Sequence, residues 1–157
     1  KGMAIRKIRE IGDDVLKQEC KEVKSMTLRT KILINDMLDT MYDAMGVGLA
    51  APQVGILKKI VVIDVGDGPV VLINPEIVES DGTQTGEEGC LSVPGKSGQV
   101  TRPNHVIVKA LNEELEEITV EGTELFARAL CHEIDHLHGH MYVELVEGEL
   151  HDVEYEE

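Results

Sequence analysis

Hydrophobic residues in the first third of the chain recur at intervals of three and four positions, which is the spacing of an amphipathic helix. The repeat begins after Thr27, and Gly46 follows it as a stop signal. We therefore predict an N-terminal helix over residues 27–45. Its apolar positions are Ile34, Met37, Leu38, Met41 and Met45.

Short runs rich in β-branched residues follow this helix, and their composition is typical of strands. Two of them cover residues 60–65 and 70–78, the second passing through Pro75. Residues 106–111 and 117–121 flank a polar turn, which predicts an antiparallel hairpin.

A second helical segment follows the predicted hairpin. Thr123 is an acceptable N-cap after Gly122, and Gly139 is a natural residue just beyond a helix C-terminus. A helix, antiparallel strands and a second helix together place the chain in the α+β class.

Length and charge restrict the function classes that the chain can belong to. Its 157 residues suffice for one compact domain, which we expect to cover residues 3–150. The 30 acidic and 15 basic residues give a formal charge of −15, which opposes broad contact with nucleic acid or anionic lipid. Acidic residues dominate the C-terminus, so we expect residues 151–157 to form an acidic tail, frayed beyond Leu150.

Three further features concern the compartment. The longest apolar runs fall far short of the ~18 residues of a membrane span. The first ten residues lack the apolar region of a secretory signal. The chain has only three cysteines, and a small, odd number argues against a disulfide framework. We therefore expect a cytoplasmic protein whose partners are peptides, small molecules or metal cations, with no membrane contact and no direct nucleic acid specificity.

The segment at residues 132–136 reads HEIDH and matches the pattern HExxH. In a helix, residues four apart lie on one face, so His132 and His136 can share a metal ion. Glu133 lies on the adjacent edge and can reach a water at that ion without being a ligand. The alternative is a pair of core or surface histidines with ordinary hydrogen-bond partners.

A catalytic metal site needs three protein ligands and one open position. The extended pattern HExxHxxGxxH fails here because Tyr142 occupies the place of its third histidine. Cys90 is the best remaining candidate because it lies in a polar stretch next to Gly89. Cys20 sits among charged residues, and Cys131 projects away from the histidine face. The alternative for Cys90 is a small hydrophobic residue in a loop.

The remaining four histidines do not belong to any sequence pattern that indicates metal binding. We expect His138 and His140 to be exposed, His105 to lie in a loop and His151 to lie in the acidic tail.

Residues 46–55 are rich in glycine and alanine and directly follow the first helix. They do not form a phosphate loop, because no Gly-Lys-Ser/Thr sequence ends the stretch. Small residues there allow another chain to lie alongside as an added strand, with Gln53 able to donate a hydrogen bond. A tight turn with a packed alanine pair explains the same residues equally well.

Three segments, in this order, resemble the signature motifs of peptide deformylases: GVGLAAPQ at 46–53, EEGCLS at 87–92 and HEIDH at 132–136. The similarity extends from about residue 5 to residue 146. That family removes the formyl group from the N-terminal formyl-methionine of nascent polypeptides. The resemblance implies a single α+β domain in which antiparallel β-sheets pack around a central helix carrying HExxH, with a further N-terminal helix.

Carried over by position, the resemblance makes Cys90, His132 and His136 the ligands of one divalent metal ion per chain. It implies Fe²⁺ in the cell, and Zn²⁺, Ni²⁺ or Co²⁺ in purified protein. Glu133 becomes the general acid/base while water activated by the metal attacks the formyl carbon. The Gln53 amide and the Leu91 backbone N–H become the donors to the developing oxyanion. The implied substrate-binding residues are Val47, Gly48, Gly89, Leu125 and Ala129.

The resemblance also implies roles for charged residues around this site. Glu88 and Arg102 resemble a family ion pair that steadies the Cys90 stretch, and Asp135 is expected to orient a ligand histidine. Arg128 adjoins the methionine pocket, where relatives commonly carry an apolar residue, and we expect its head to reach solvent. We expect residues 95–99 to form a loop with few of the bulky or basic side chains that contact further substrate positions in relatives, Lys96 being its one basic residue.

N-formylmethionyl nascent peptides are the partners that this resemblance implies. A transient association with the ribosome does not follow directly, because the short acidic C-terminus lacks the basic terminal helix that some bacterial members use there. Two other functions stay open. A small zincin-type endopeptidase needs room on both sides of the cleaved bond, and a non-catalytic metal-stabilised binding module needs a fourth side chain to close the site.

Overall fold

The computed structural model describes residues 4–153, which form two α-helices and eight strands. The helices are α1 (Leu28–Asp43) and α2 (Glu124–Leu137). The strands are β1 (Gly48–Ala50), β2 (Ile60–Ile63), β3 (Val70–Asp81), β4 (Gln84–Cys90), β5 (Val93–Arg102), β6 (His105–Leu111), β7 (Glu117–Thr123) and β8 (Glu147–Asp152). Neither described helix is long and apolar enough to cross a membrane.

A five-stranded antiparallel sheet in the order β1-β2-β3-β6-β7 organises the fold. Strand β2 is buried along its whole length because both of its faces are covered. Val61 and Ile63 belong to the apolar cluster that contains α2, whereas Ile60 and Val62 belong to the cluster that contains α1. Burial on both faces explains why this strand is a continuous apolar run rather than an alternating one.

The predicted hairpin is confirmed, since β6 and β7 pair in antiparallel register with Leu111 opposite Glu117. The prediction that a strand continues through Pro75 is also confirmed by β3. Its register shifts between Ile73 and Glu76, where Asn74 adopts a left-handed conformation with φ of 51°. The prediction of His105 in a loop is wrong, because this residue begins β6.

Helix α1 begins where the sequence predicts and ends earlier. The Oγ1 atom of its N-cap, Thr27, accepts a hydrogen bond of 3.2 Å from the Thr30 backbone N–H. Ile34, Met37 and Met41 of the predicted apolar stripe are fully buried. The assignment of Met45 to that stripe is wrong, because Met45 lies beyond the helix end and is 91% exposed.

Helix α2 ends as predicted at Gly139, which adopts the left-handed conformation with φ of 79°. A Cβ atom at this position would lie 2.5 Å from the carbonyl oxygen of Lys17, so only glycine fits. This close approach fixes the C-terminal end of α2 against the N-terminal segment of the chain.

A second, three-stranded sheet in the order β4-β5-β8 corrects two sequence predictions. Residues 95–99, expected to be a loop, lie within β5. His151 and Asp152, expected to fray, lie in β8, where they pair with Ser97 and Lys96 of β5. The polar, glycine-containing sequences of β4 and β8 carry no alternating apolar pattern, which is why they do not predict strands. Residues 154–157 of the predicted tail lie outside the described part of the chain.

Candidate metal centre and active site

Three side chains from two distant parts of the chain converge beside α2. Cys90 ends β4, and His132 and His136 lie one turn apart on α2. One ligand atom of each residue lies within 4.8 Å of the others, and the Cys90 Sγ is 3.4 Å from the His136 Nε2. Both imidazoles are buried. The structure thus brings together the three residues that are expected from the sequence to be metal ligands.

The orientation of His132 is set by a buried carboxylate. Its Nδ1 lies 2.6 Å from the Glu88 Oε2. Burial by itself would raise the pKa of Glu88, but hydrogen bonds from His132 and Arg102 outweigh it and lower that pKa to about 2. The carboxylate is therefore ionised and can only accept, so Nδ1 carries the hydrogen and Nε2 is the nitrogen that would bind a metal.

Two guanidinium groups hold Glu88 in turn. The Arg102 Nη2 donates to Oε2 at 2.6 Å, and the Arg128 Nη1 donates to Oε1 at 2.8 Å. The ion pair of Glu88 and Arg102, expected from the resemblance, is thus present. Two other expectations are wrong. Asp135 accepts a hydrogen bond from Arg102 instead of orienting a histidine, and the head of Arg128 is buried against Glu88 instead of reaching solvent.

Gln53 and Ser92 surround the Cys90 sulfur. The Gln53 Nε2 and the Ser92 backbone N–H each approach Sγ at 3.4 Å. Gln53 is itself fixed, because its Oε1 accepts a 2.9 Å hydrogen bond from the Ala50 N–H and its Nε2 lies 3.1 Å from the Ser92 Oγ. The other two thiols differ. Burial raises the pKa values of Cys20 and Cys131 to about 11, so both stay protonated within the core.

Glu133 is buried against the backbone of β1. A Cβ atom at Gly48 would lie 2.5 Å from the Glu133 Oε2, so the glycine is what allows this approach. Burial raises the pKa of Glu133 to about 7, against the opposing effect of His132. Its Oε1 has no hydrogen-bond partner among the described residues. A buried carboxylate oxygen without a partner indicates a place for a donor such as water.

A cavity of about 470 Å³ opens beside this centre. All five residues that the resemblance implies for substrate binding line it, and so do Gln53, Leu91 and Glu133. The apolar side chains of Met45, Val47 and Leu125 are exposed at the cavity. The residues that line it and were missed by sequence reasoning include Pro94, Lys96 and Val153.

Residues 5–150 match the family model described as polypeptide deformylase. The chain belongs to this family. The peptide deformylase of Agathobacter rectalis is 66% identical over 155 residues, which cover 99% of this chain and 98% of that protein. The peptide deformylase of Lachnoclostridium phytofermentans is 60% identical and covers 96% of this chain and 94% of that protein.

A crystal structure of a peptide deformylase from Legionella pneumophila superimposes with a TM-score of 0.89. Its sequence is 46% identical, and the match covers 92% of this chain and 87% of that one. The resemblance stated from the motifs is therefore confirmed, and the chain is an enzyme of the peptide deformylase family.

Membership of the peptide deformylase family implies a catalytic divalent metal, and the donor set here fits one. A thiolate and two imidazoles suit ions such as zinc and iron(II). The His136 Nδ1 and the Glu133 Oε1 are the buried side-chain polar atoms without partners among residues 4–153, and both belong to this centre. The group holds three side chains and no fourth in the described part of the chain, which is the number of protein ligands that a catalytic ion would need.

The four other histidines lie outside the centre. His138 and His140 are exposed, as expected. His105 lies between Asp81 and Glu121, and His151 lies beside Ser97 and Glu87. The lining contributed by β5 could not be found from the sequence, because its residues carry no motif and were not expected to form a strand.

Proposed function

We propose that this protein removes the formyl group from the N-terminal formyl-methionine of nascent polypeptides. The observation that carries the proposal is the convergence of Cys90, His132 and His136 within 4.8 Å of one another, next to a buried Glu133 with an unpartnered oxygen. Formate and a free amino terminus are the products.

Cys90, His132 and His136 would hold one divalent ion, Fe²⁺ in the cell and Zn²⁺, Ni²⁺ or Co²⁺ in purified protein. Such an ion, when bound, lowers the pKa of a coordinated water toward neutrality and so supplies a nucleophile for the formyl carbon. Glu88 supports this set through its 2.6 Å hydrogen bond to His132, which fixes the tautomer of that ligand.

Glu133 acts as the general acid/base in this proposal. It accepts a proton from the attacking water and delivers that proton to the departing amine. Three observations support the role: the carboxyl group is buried, its pKa is raised to about 7, and its Oε1 has no partner among the described residues. A group with a pKa near the working pH can both take and return a proton.

Gln53 and Leu91 stabilise the negative charge that develops on the formyl oxygen. The Gln53 Nε2 lies 3.4 Å from the Cys90 Sγ, and Leu91 is the next residue in the chain. The hydrogen bond from the Ala50 N–H to the Gln53 Oε1 fixes the orientation of the Gln53 amide. A fixed orientation is the condition for an effective oxyanion donor. One such donor is typically worth about 2.7–4 kcal/mol of transition-state stabilisation.

The substrate peptide lies along β1 in this proposal. Strand β1 is an edge strand of the five-stranded sheet, so it can accept a further strand by main-chain hydrogen bonds. Val47 and Gly48 provide this edge, while Gly89, Leu125 and Ala129 line the space for the methionine side chain.

The reaction would take place in the cytoplasm, where nascent chains emerge, and the structure adds no support for ribosome docking.

The test is formate release from formyl-Met-Ala-Ser by the metal-loaded protein. We expect Glu133→Ala to abolish turnover while the metal content stays at that of the parent. Cys90→Ala should lose both turnover and metal, because one of three ligands is gone.

Two control variants accompany this test. Cys20→Ala changes a thiol outside the centre, and Glu79→Gln changes an exposed carboxyl group on β3. Turnover by Glu133→Ala equal to that of the parent would remove the mechanism. Metal content of Cys90→Ala equal to that of Cys20→Ala would remove the ligand assignment.

A further inference from the structure

Arg128 places a guanidinium group in the wall of the substrate cavity. It lies between Leu125 and Ala129 in the sequence of α2, and all three residues line the cavity. Arg128 is only 8% exposed, so its head does not extend into bulk solvent. A space proposed to receive the methionine side chain therefore contains a buried cation.

The contacts of Arg128 use only one of its three nitrogens. Nη1 donates to the Glu88 Oε1 at 2.8 Å and to the Val100 carbonyl oxygen at 3.1 Å. A guanidinium carries five N–H donors, so the hydrogens on Nε and Nη2 have no partner among residues 4–153. Since neither atom is among the fully enclosed atoms without partners, both retain exposed surface, and Arg128 is one of the residues that line the cavity.

Gly86 of β4 lies beside this guanidinium, although it is not among the residues that line the cavity. A Cβ atom at Gly86 would lie 3.5 Å from the Arg128 Nη2, which is an ordinary contact distance. Gly86 does not have a positive φ, so its backbone does not require glycine. A larger side chain there would pack onto Nη2, and its absence keeps these donors available.

We propose that the cavity binds first residues whose side chains end in a neutral hydrogen-bond acceptor, and that formyl-methionine sulfoxide is a substrate alongside formyl-methionine. This inference rests on the proposed function. Oxidation turns the thioether sulfur, a weak acceptor, into a sulfoxide whose oxygen is a polar acceptor on a side chain of nearly the same length. The free N–H groups of Arg128 supply the matching donors.

A neutral acceptor fits this position better than an anionic one. Glu88 already pairs with the Arg128 Nη1 at 2.8 Å, and Glu133 lines the same cavity. A carboxylate on the substrate would bring a further negative charge into a partly buried site whose cation is already neutralised. The structure therefore favours a sulfoxide over a glutamate side chain.

The test compares kcat/KM for three peptides, formyl-Met-Ala-Ser, formyl-Met(sulfoxide)-Ala-Ser and formyl-norleucine-Ala-Ser. Norleucine replaces the sulfur by a methylene and has no acceptor. In the metal-loaded parent, we expect the sulfoxide peptide to be cleaved faster than the norleucine peptide. Arg128→Met should lower this ratio about tenfold, the value of one hydrogen bond to a charged group.

The ratio is the informative readout, because Arg128→Met also removes a partner of Glu88 and lowers the rate for every peptide. Gly86→Ile keeps the ion pair of Arg128 and Glu88 while covering Nη2, and we expect it to lower the same ratio by a smaller factor. Arg29→Met is the matched control, since Arg29 is exposed on α1 away from the cavity, and it should leave the ratio unchanged.

Equal sulfoxide-to-norleucine ratios in the parent, Arg128→Met and Gly86→Ile would overturn this inference and leave the proposed function intact. Faster cleavage of formyl-Glu-Ala-Ser than of the sulfoxide peptide would overturn the choice of a neutral acceptor. Absence of formate release from formyl-Met-Ala-Ser by the metal-loaded parent would instead overturn the proposed function itself.

Discussion

The two sheets of this protein are stabilised by different kinds of interaction. The five-stranded sheet lies between α1 and α2, and the side chains of β2 are buried on both of its faces. The three-stranded sheet has an exposed third strand, β8, and a small apolar cluster to which β5 contributes Val93 and Val100. It also buries a polar residue, Glu88, which is held by two arginines and a histidine.

The five-stranded sheet is stabilised by apolar burial, whereas the three-stranded sheet also positions a residue of the candidate metal centre. Apolar burial gives the five-stranded sheet its stability without specifying any reactive group. In the three-stranded sheet, the carboxylate that neutralises Arg102 and Arg128 also orients His132. We therefore expect a change at Glu88 to affect both the free energy of unfolding and metal affinity. A change in the apolar core of the five-stranded sheet should affect the free energy of unfolding alone.

The largest effect is expected for Glu88→Ala. Removing this carboxylate leaves the buried Arg128 without a carboxylate partner and leaves Arg102 with Asp135 alone, which costs about 3–5 kcal/mol in the free energy of unfolding. Metal affinity should fall about 10- to 100-fold, because His132 loses the group that sets its tautomer. Urea unfolding and metal competition with a chelator measure the two quantities. Glu79→Ala, an exposed carboxyl group on β3, is the control, and an equally small loss in both variants would contradict the comparison.

Leu72→Ala tests the other side of the comparison. Leu72 is fully buried in the cluster around α2, so truncation should cost about 2–5 kcal/mol in the free energy of unfolding. Metal affinity of the folded protein should stay at the parent value, since Leu72 is neither one of the three candidate ligands nor a residue that lines the cavity. Val78→Ala is the control, because it shortens a half-exposed side chain on the same strand and should cost less free energy of unfolding. A large fall in metal affinity would show that the two sheets are not separable.

Gly48→Ala acts where the five-stranded sheet meets the centre. The added Cβ atom would lie 2.5 Å from the Glu133 Oε2 and must displace that carboxyl group. We expect kcat/KM for formyl-Met-Ala-Ser to fall about 100-fold, the effect of a misplacement near 1 Å, while the metal is retained. Steady-state kinetics together with metal analysis measure this. Unchanged kinetics would mean that the position of Glu133 does not matter for the reaction.

The smallest effect is expected for a chain that stops after Val146. All six residues of β8 are exposed, and its pairing to β5 includes a surface contact between Lys96 and Asp152. Exposed ion pairs contribute about 0–1 kcal/mol each, so the melting temperature should fall by only a few degrees. Thermal unfolding measures the shift. A loss as large as that of Leu72→Ala would make β8 a structural part of the sheet rather than a covering strand.

The sequence by itself determined the elements whose signals are local. The stripe of Ile34, Met37 and Met41 predicts α1, and Gly139 predicts the end of α2, because helix periodicity and capping depend on residues a few positions apart. The spacing of His132 and His136 predicts a shared face for the same reason. The motif that contains Cys90 identified the third member of the group, although nothing local predicts that β4 is a strand.

Only the tertiary structure decided the partners of the charged groups. Glu88 rather than Asp135 orients His132, at a sequence separation of 44 residues, and Arg128 turns inward to Glu88 across 40 residues. Neither choice can be derived from spacing, because each depends on which long side chains are buried together and must neutralise one another. The strands β4, β5 and β8 depend on the same long-range contacts, since their polar sequences lack the apolar alternation that makes a strand recognisable on its own.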